Sequence, residues 1–242
     1  GLAFLSICSF WQMYDNIIPL ILQNTYHLGE TMTGAVMALD NVLAIFLLPV
    51  FGTLSDKVHT KLGRRMPFIV SGTILAVIFM MLLPMIDNAE KARWGTVESF
   101  SNQVIFLAVL FFTLVSMGLY RSPAVALMPD VTPNHLRSRA NAVINLMGAV
   151  GGVYALIMIK VLVGKGETPD YLPLFASIAA VMAIAVGILV MTIRENKLRE
   201  EVEKAEAAIA ETIEEKAMAE GVEAVGEIEA VGDTGEVKAF DG

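Results

Sequence analysis

Six stretches of this chain run for roughly twenty residues with almost no charge in them: about 2–23, 32–54, 66–86, 103–127, 140–163 and 171–193. A hydrocarbon core of about 30 Å takes roughly 20 residues of helix to cross. No water reaches the backbone there, so each segment must satisfy its own N–H and C=O groups, and a helix does so. Internal prolines (Pro19, Pro49, Pro84, Pro123 and Pro173) do not veto these spans, because neighbouring helices can satisfy the carbonyls they free. The composition agrees: 55% of residues are hydrophobic and 17% charged, against about 25% charged in a soluble domain. The expectation is an all-α membrane protein with a six-helix bundle over residues 1–193 and an acidic stretch over 194–242.

The net charge of −8 conceals a division. Residues 200–242 carry fourteen acids and three bases, whereas residues 1–199 carry eleven acids and fourteen bases. The membrane part is mildly basic, the acidity belongs to a tail, and nothing points to nucleic acid. Lys and Arg mark the cytoplasmic side of a membrane protein. The turns at 55–65, 128–139 and 194–199 hold Lys57, Lys61, Arg64, Arg65, Arg137, Arg139, Arg194, Lys197 and Arg199; the opposite turns hold only Lys91, Arg93 and Lys165. The loops between helices 2 and 3 and between helices 4 and 5, together with the tail, are therefore expected in the cytoplasm. The membrane is expected to be the cell membrane.

Cys8 is the lone cysteine, and His27, His59 and His135 are scattered over separate turns. No intrachain disulfide is possible, and neither a metal site nor a cofactor is expected. The chain opens at Gly1, already inside an apolar run, and reads as a fragment. Residues 195–219 are rich in helix formers, with Leu198, Val202, Ala205, Ile209 and Ile213 on one stripe and Glu200 four residues before Lys204. EAVGEI at 223–228 and EAVGDT at 229–234 are near-copies, the mark of a solvated low-complexity linker.

Between the second and third spans lies a dense knot of charge, GTLSDKVHTKLGRRMPFIV at 52–70. Its cations alone could serve as a topology anchor. Gly52 permits close helix approach, Asp56 can accept hydrogen bonds from a helix N-terminus or from arginine, and Arg64 and Arg65 can each grip a carboxylate such as Asp130. A cluster of that kind makes a latch that holds one conformation and breaks in another.

Gly52, Asp56, Gly63, Arg64 and Arg65 resemble the helix 2–3 loop of major facilitator superfamily transporters, whose usual form is G-x-x-x-D-x-x-G-R-[RK]. The longer spacing here, S-D-x-x-x-T-x-x-G-R-R-x-P-F, is similar to the sucrose-transporter-like and glycoside–pentoside–hexuronide symporter branches. A second stretch, Arg121-Ser-Pro-Ala-Val-Ala-Leu-Met-Pro-Asp130-Val-Thr-Pro133 followed by Arg137-Ser-Arg139-Ala-Asn141, resembles the end of helix 4 and the start of helix 5 in the same group. The resemblance covers residues from about 10 to 193, six of the family's twelve helices. It implies the N-terminal half of a transporter, built from two inverted three-helix repeats, that rocks against a missing C-terminal six-helix half. It also implies a latch that stabilises the outward-facing state.

Two acids interrupt the apolar runs, Asp15 in FWQMYDNIIPLIL and Asp40 in AVMALDNVLAIFLLP, each followed by an asparagine, Asn16 and Asn41. Each lies roughly 13 Å along its helix from the outer end at 1.5 Å per residue, so both fall near the midplane. Burying an aspartate there costs at least ~2.5 kcal/mol, so such residues face a polar cavity and mark a pathway. Interhelical glue is the alternative for either. Arg121, in the cytoplasmic half of helix 4, could pair with a migrating charge or with Asp130. Trp11, Gln12, Tyr14, Tyr120, Asn141 and Asn145 could line a sugar site, since aromatic faces stack on sugar rings and amides bond hydroxyls. The symporters that this chain resembles often carry an acid immediately before a helix-2 proline, where this chain has Leu48 before Pro49. The departure favours coupling to a proton over sodium.

The leading expectation is therefore a secondary transporter for a sugar or glycoside, proton-coupled through Asp15 or Asp40. A facilitator or efflux carrier for another small solute, or a scaffold that transports nothing, remains open at this point. An enzyme is not expected, because no nucleophile–base pair, phosphate loop or metal cluster stands out.

Overall fold

The computed structural model describes residues 1–58, 60, 63–92, 100–164, 169–193 and 195–220, with side chains to residue 213. His59, Lys61, Arg93, Lys165, Arg194 and the repeat at 223–234 lie outside the described residues. Among the described residues, seven helices follow one another: α1 (Leu2–Asn24), α2 (Glu30–Lys57), α3 (Met66–Lys91), α4 (Phe100–Asp130), α5 (Arg137–Leu162), α6 (Leu172–Thr192) and α7 (Glu195–Glu220). A single 3-10 turn, Asn134–Leu136, leads into α5. The ends obey local chemistry. Pro67 and Pro173 sit in the first turns of α3 and α6, where a missing N–H costs nothing. Lys57, Lys91 and Lys160 close α2, α3 and α5, each a cation against a negative helix end.

Residues Gly1–Arg199 form one compact unit. Its core runs along α1, where Phe10, Tyr14, Ile17, Ile18, Ile21 and Leu22 are all but sealed from solvent, and continues through α3, α4 and α6. α1 lies against α5 so closely that a Cβ added at Gly151 would stand 2.1 Å from the Leu5 carbonyl oxygen. Ser9 uses the same approach, donating its hydroxyl to the Gly151 carbonyl at 2.9 Å. Small residues at such crossings let backbones meet where lipid supplies no hydrophobic drive.

The count of spans differs from the sequence expectation. Five helices are long and apolar enough to cross a membrane by length and composition, namely α2, α3, α4, α6 and the stretch that includes α5; α1 is not among them. The cause is the polar middle of α1, where Gln12, Tyr14, Asp15 and Asn16 dilute an otherwise apolar helix. Of these four only Tyr14 is buried; Gln12 is half-buried, and Asp15 and Asn16 are exposed within the unit. In α2, none of the most apolar window is buried within the unit, and Ile45, Phe46 and Val50 are 70%, 66% and 54% exposed. An apolar face of that size needs lipid or further helices against it.

Residues 200–242 form a second unit. Within it, Lys204 donates to Glu200 at 2.7 Å across one helical turn.

Candidate functional site

Three polar clusters lie along the bundle. In the first, Trp11 of α1, Asp40 of α2 and Arg121 of α4 line one cleft, floored by Leu43, Leu47 and Leu48. Its volume is about 20 Å³, room for a single water and no more. The Arg121 guanidinium lies 5.5 Å from the centre of the Trp11 ring, a cation–π contact. Trp11 is itself held edge-on by Phe10 and Tyr14, with ring centres 5.3 and 5.4 Å away. Both the Trp11 indole N–H and the Tyr14 hydroxyl are buried without a hydrogen-bond partner. An orphaned buried donor costs about 1–3 kcal/mol, so these two atoms are sites where an incoming acceptor would gain most.

The aspartates are neighbours with different surroundings. Asp40 is half-buried in the cleft wall, while Asp15 is exposed on α1 and does not line the cleft. The two carboxylates lie within electrostatic reach of each other and of the Tyr14 hydroxyl. The asparagines turn to local partners: Asn41 donates to Asp40 at 3.1 Å, and Asn16 to the Gln12 carbonyl at 2.6 Å. Tyr120 is fully buried, bonded to Ser6 at 2.7 Å and to the Ala3 carbonyl at 3.2 Å. It is a core residue, not a cavity lining. Asn141 and Asn145 are exposed on α5, away from the cleft.

The second cluster gathers the charge knot at the other end of α2. Asp130, at the end of α4, accepts from Arg64 Nη2 at 2.9 Å and from Arg65 Nε at 2.5 Å. Asp56 pairs with Arg65 at 3.0 Å and with Arg64 at 3.8 Å. Arg65 also reaches Ser55, with Nη1 3.4 Å from Oγ. The hydrogen bond to Asp130 is the main force raising the Arg64 pKa above its ordinary range, so the guanidinium is charged at any working pH. Asp130 thus pairs with Arg64 and Arg65, and Arg121 pairs with the Trp11 ring instead.

Sequence reasoning missed the residue that organises this loop. Glu195, the first residue of α7, is fully buried, and its carboxylate accepts the backbone N–H groups of Arg64, Arg65 and Met66 at 2.9–3.1 Å. Those are orphan donors at the start of α3, and a carboxylate is their natural cap. Gly63 is required by the same contact. Its φ is +123°, and a Cβ there would stand 2.1 Å from Glu195 Oε2. In the sequence Glu195 is one acid among the many of an acidic tail; its position directly after the last apolar run was the only clue.

The C-terminal end of α3 holds a further polar group that the sequence did not advertise. Asp87, fully buried, accepts from Thr25 at 2.7 Å and from Lys91 at 2.6 Å. Lys91 also donates to the Pro169 carbonyl at 2.6 Å and sits 4.4 Å from the Tyr171 ring centre. Asn88 donates to Asp170, whose carboxylate caps Leu172 N–H, and Asn102 of α4 donates to Glu90. One helical turn therefore addresses α1, α4 and the start of α6. Among the described residues, no group of three or more His, Cys, Asp or Glu side chains is placed to hold a metal.

A bundle of apolar helices that carries a polar cleft in its middle and ion-paired clusters toward its ends defines a class, the polytopic helical membrane proteins with polar groups set along their spans. A model of the Major Facilitator Superfamily matches residues 1–228, and the chain belongs to that superfamily. Among curated proteins, the chain is similar to sucrose transport protein SUT3 of Oryza sativa subsp. japonica, 24% identical over 59% of this chain and 30% of that protein. Sucrose transport protein SUC4 of Arabidopsis thaliana is 34% identical over 45% of this chain and 22% of that protein. An uncharacterized symporter of Synechocystis sp. is 24% identical over 57% of this chain and 25% of that protein. The chain thus spans less than a third of the length of these relatives. No solved structure matches it. The superfamily and the names of these relatives are those of transporters, not enzymes.

Proposed function

We propose that this chain is the N-terminal half of a proton-coupled sugar symporter that works by alternating access in the cell membrane. The observation that carries the reading is the cleft shared by Asp40, Arg121 and Trp11 on three different helices. A carboxylate, a guanidinium and an indole with a free donor are what a hydroxylated ring needs for hydrogen bonding and stacking. A cleft of about 20 Å³ is one wall of a sugar site; the second six-helix half supplies the other. Asp40 is the proposed proton carrier, with Asp15 as a second carboxylate within electrostatic reach of it. Asn41 supports Asp40 through its hydrogen bond, and Asn16 and Tyr14 are the further polar groups assigned to the site. Asp56, Gly63, Arg64, Arg65 and Asp130 are the latch that closes the cytoplasmic side, capped by Glu195, and Gly52 lets α2 approach α4 beneath the cleft. The sugar assignment draws on the relatives named as sucrose transport proteins. The helix 2–3 and 4–5 loops and the tail are assigned to the cytoplasm, and residues 194–242 to a linker toward the second half.

The test is uptake of sucrose by the full-length protein in proteoliposomes under an imposed pH gradient. Asp40→Asn is expected to abolish gradient-driven accumulation while leaving sucrose-for-sucrose exchange measurable. Accumulation that survives both Asp15→Asn and Asp40→Asn would remove proton coupling through these residues.

A further inference from the structure

We propose that Ser122 is a positioning residue that ties α2 to α4 beneath the cleft, so that the cleft and the cytoplasmic latch change state together. The inference rests on the transport reading above. Each of these two helices has a foot in both clusters: α2 carries Asp40 and Asp56, and α4 carries Arg121 and Asp130. Between the clusters, the Ser122 hydroxyl donates to the Leu48 carbonyl of α2 at 2.8 Å. The direction of that bond is informative. Hydroxyls on membrane helices ordinarily bond back to their own preceding turn, as Thr113 and Ser116 of α4 do at 2.8 and 2.7 Å. Ser122 crosses to the neighbouring helix instead.

The surroundings make this crossing a hinge. Leu48 precedes Pro49 and Ser122 precedes Pro123, so each end of the bond adjoins a residue that cannot donate to its own helix. Pro49 leaves the Ile45 carbonyl, and Pro123 the Leu119 carbonyl, without the usual partner, and both helices are softest there. The backbones come close on both sides. A Cβ at Gly52 would stand 3.4 Å from Ser122 Oγ, and one at Gly118 would stand 3.4 Å from the Leu47 side chain. Leu48 and Arg121 line the cleft itself. One helical turn beyond Gly52, Ser55 receives Arg65 of the latch. A continuous line of contacts therefore runs from the cleft wall through the Ser122–Leu48 bond to the arginines, and without the bond the two soft turns can bend independently.

The experiment uses the full-length protein in proteoliposomes, free of other reactive cysteines, with a reporter cysteine at Val58, which follows α2 beside the latch. Sucrose is the probe, and labelling by an impermeant maleimide from the cytoplasmic side is the readout. Sucrose is expected to change the labelling rate in the parent. Ser122→Ala is expected to bind sucrose within about twofold of the parent yet lose the labelling response by about threefold to tenfold, the range of one interhelical hydrogen bond. Ser122→Thr, which keeps the hydroxyl, is expected to restore it. A full labelling response in Ser122→Ala overturns the proposal, as does a Thr variant no better than Ala. Loss of sucrose binding in Ser122→Ala also overturns it, by making the hydroxyl part of the site or of the fold. Sucrose without effect on the parent itself would defeat the transport reading and this inference with it.

Discussion

At the scale of single residues, the loop between α2 and α3 is the most demanding part of the chain. Gly63 holds a positive φ against a buried carboxylate, and a side chain there meets both a torsional and a steric penalty, about 1–3 kcal/mol for the torsion alone. Gly63→Ala is expected to lower the midpoint of thermal unfolding in detergent, and more than any alanine on the exposed face of α2. Arg65 and Asp130 test a different cost. Removing one partner of a buried pair costs about 3–5 kcal/mol where the other charge is left uncompensated; Arg65 keeps Asp56 at 3.0 Å, so the cost here is smaller. Asp130→Asn alone is expected to destabilise more than the double variant in which Arg65→Met accompanies it, a non-additivity that a double-mutant cycle reads directly. The sequence announced these arginines and Asp130 by their spacing. It could not announce Glu195, because a cap is recognised by where it folds to and not by its neighbours in the chain.

At the scale of elements, α7 differs in kind from the six helices before it. It is charged on most faces, and Ile209 and Ile213 are 44% and 48% exposed. Its solvated turns therefore rely on helix propensity and on pairs such as Glu200–Lys204. The hydrogen bond from Lys204 lowers the pKa of Glu200 and raises that of Lys204. A depressed carboxylate supports the helix above its ordinary pKa and loses that support as pH falls through the shifted value. Raised lysine support is complete below its ordinary pKa and disappears as pH climbs past the shifted one. A peptide of residues 195–220 is therefore expected to show a plateau of helical circular dichroism around neutrality, falling at both extremes and flattened by salt. No pH dependence at low salt would show the pair to be idle.

At the scale of the whole molecule, the unburied apolar face of α2 and the narrow cleft belong together. An uncovered apolar face on α2 beside a cleft of about 20 Å³ is what the half-transporter proposed above predicts. The chain by itself in liposomes is expected to give no sucrose accumulation, and supplying the remaining helices of the full-length protein as a separate chain is expected to restore it. Accumulation by this chain alone would point to a dimer of halves, which crosslinking would then reveal.

Much of this architecture could be read before any coordinates. Apolar runs of bilayer length leave a backbone in lipid with one way to satisfy its hydrogen bonds, so the all-α fold class followed from composition. The charge knot was visible because its residues are close in the chain. What depended on folding was every pairing across distance. Asp130 meets Arg64 and Arg65, not Arg121, and Arg121 settles on Trp11. Glu195 closes the start of α3, and Asp87 collects α1 and the lead into α6 through Thr25 and Lys91. Hydropathy acts locally and is written residue by residue. A partner is chosen by which helix faces come within about 3 Å, and only packing decides that.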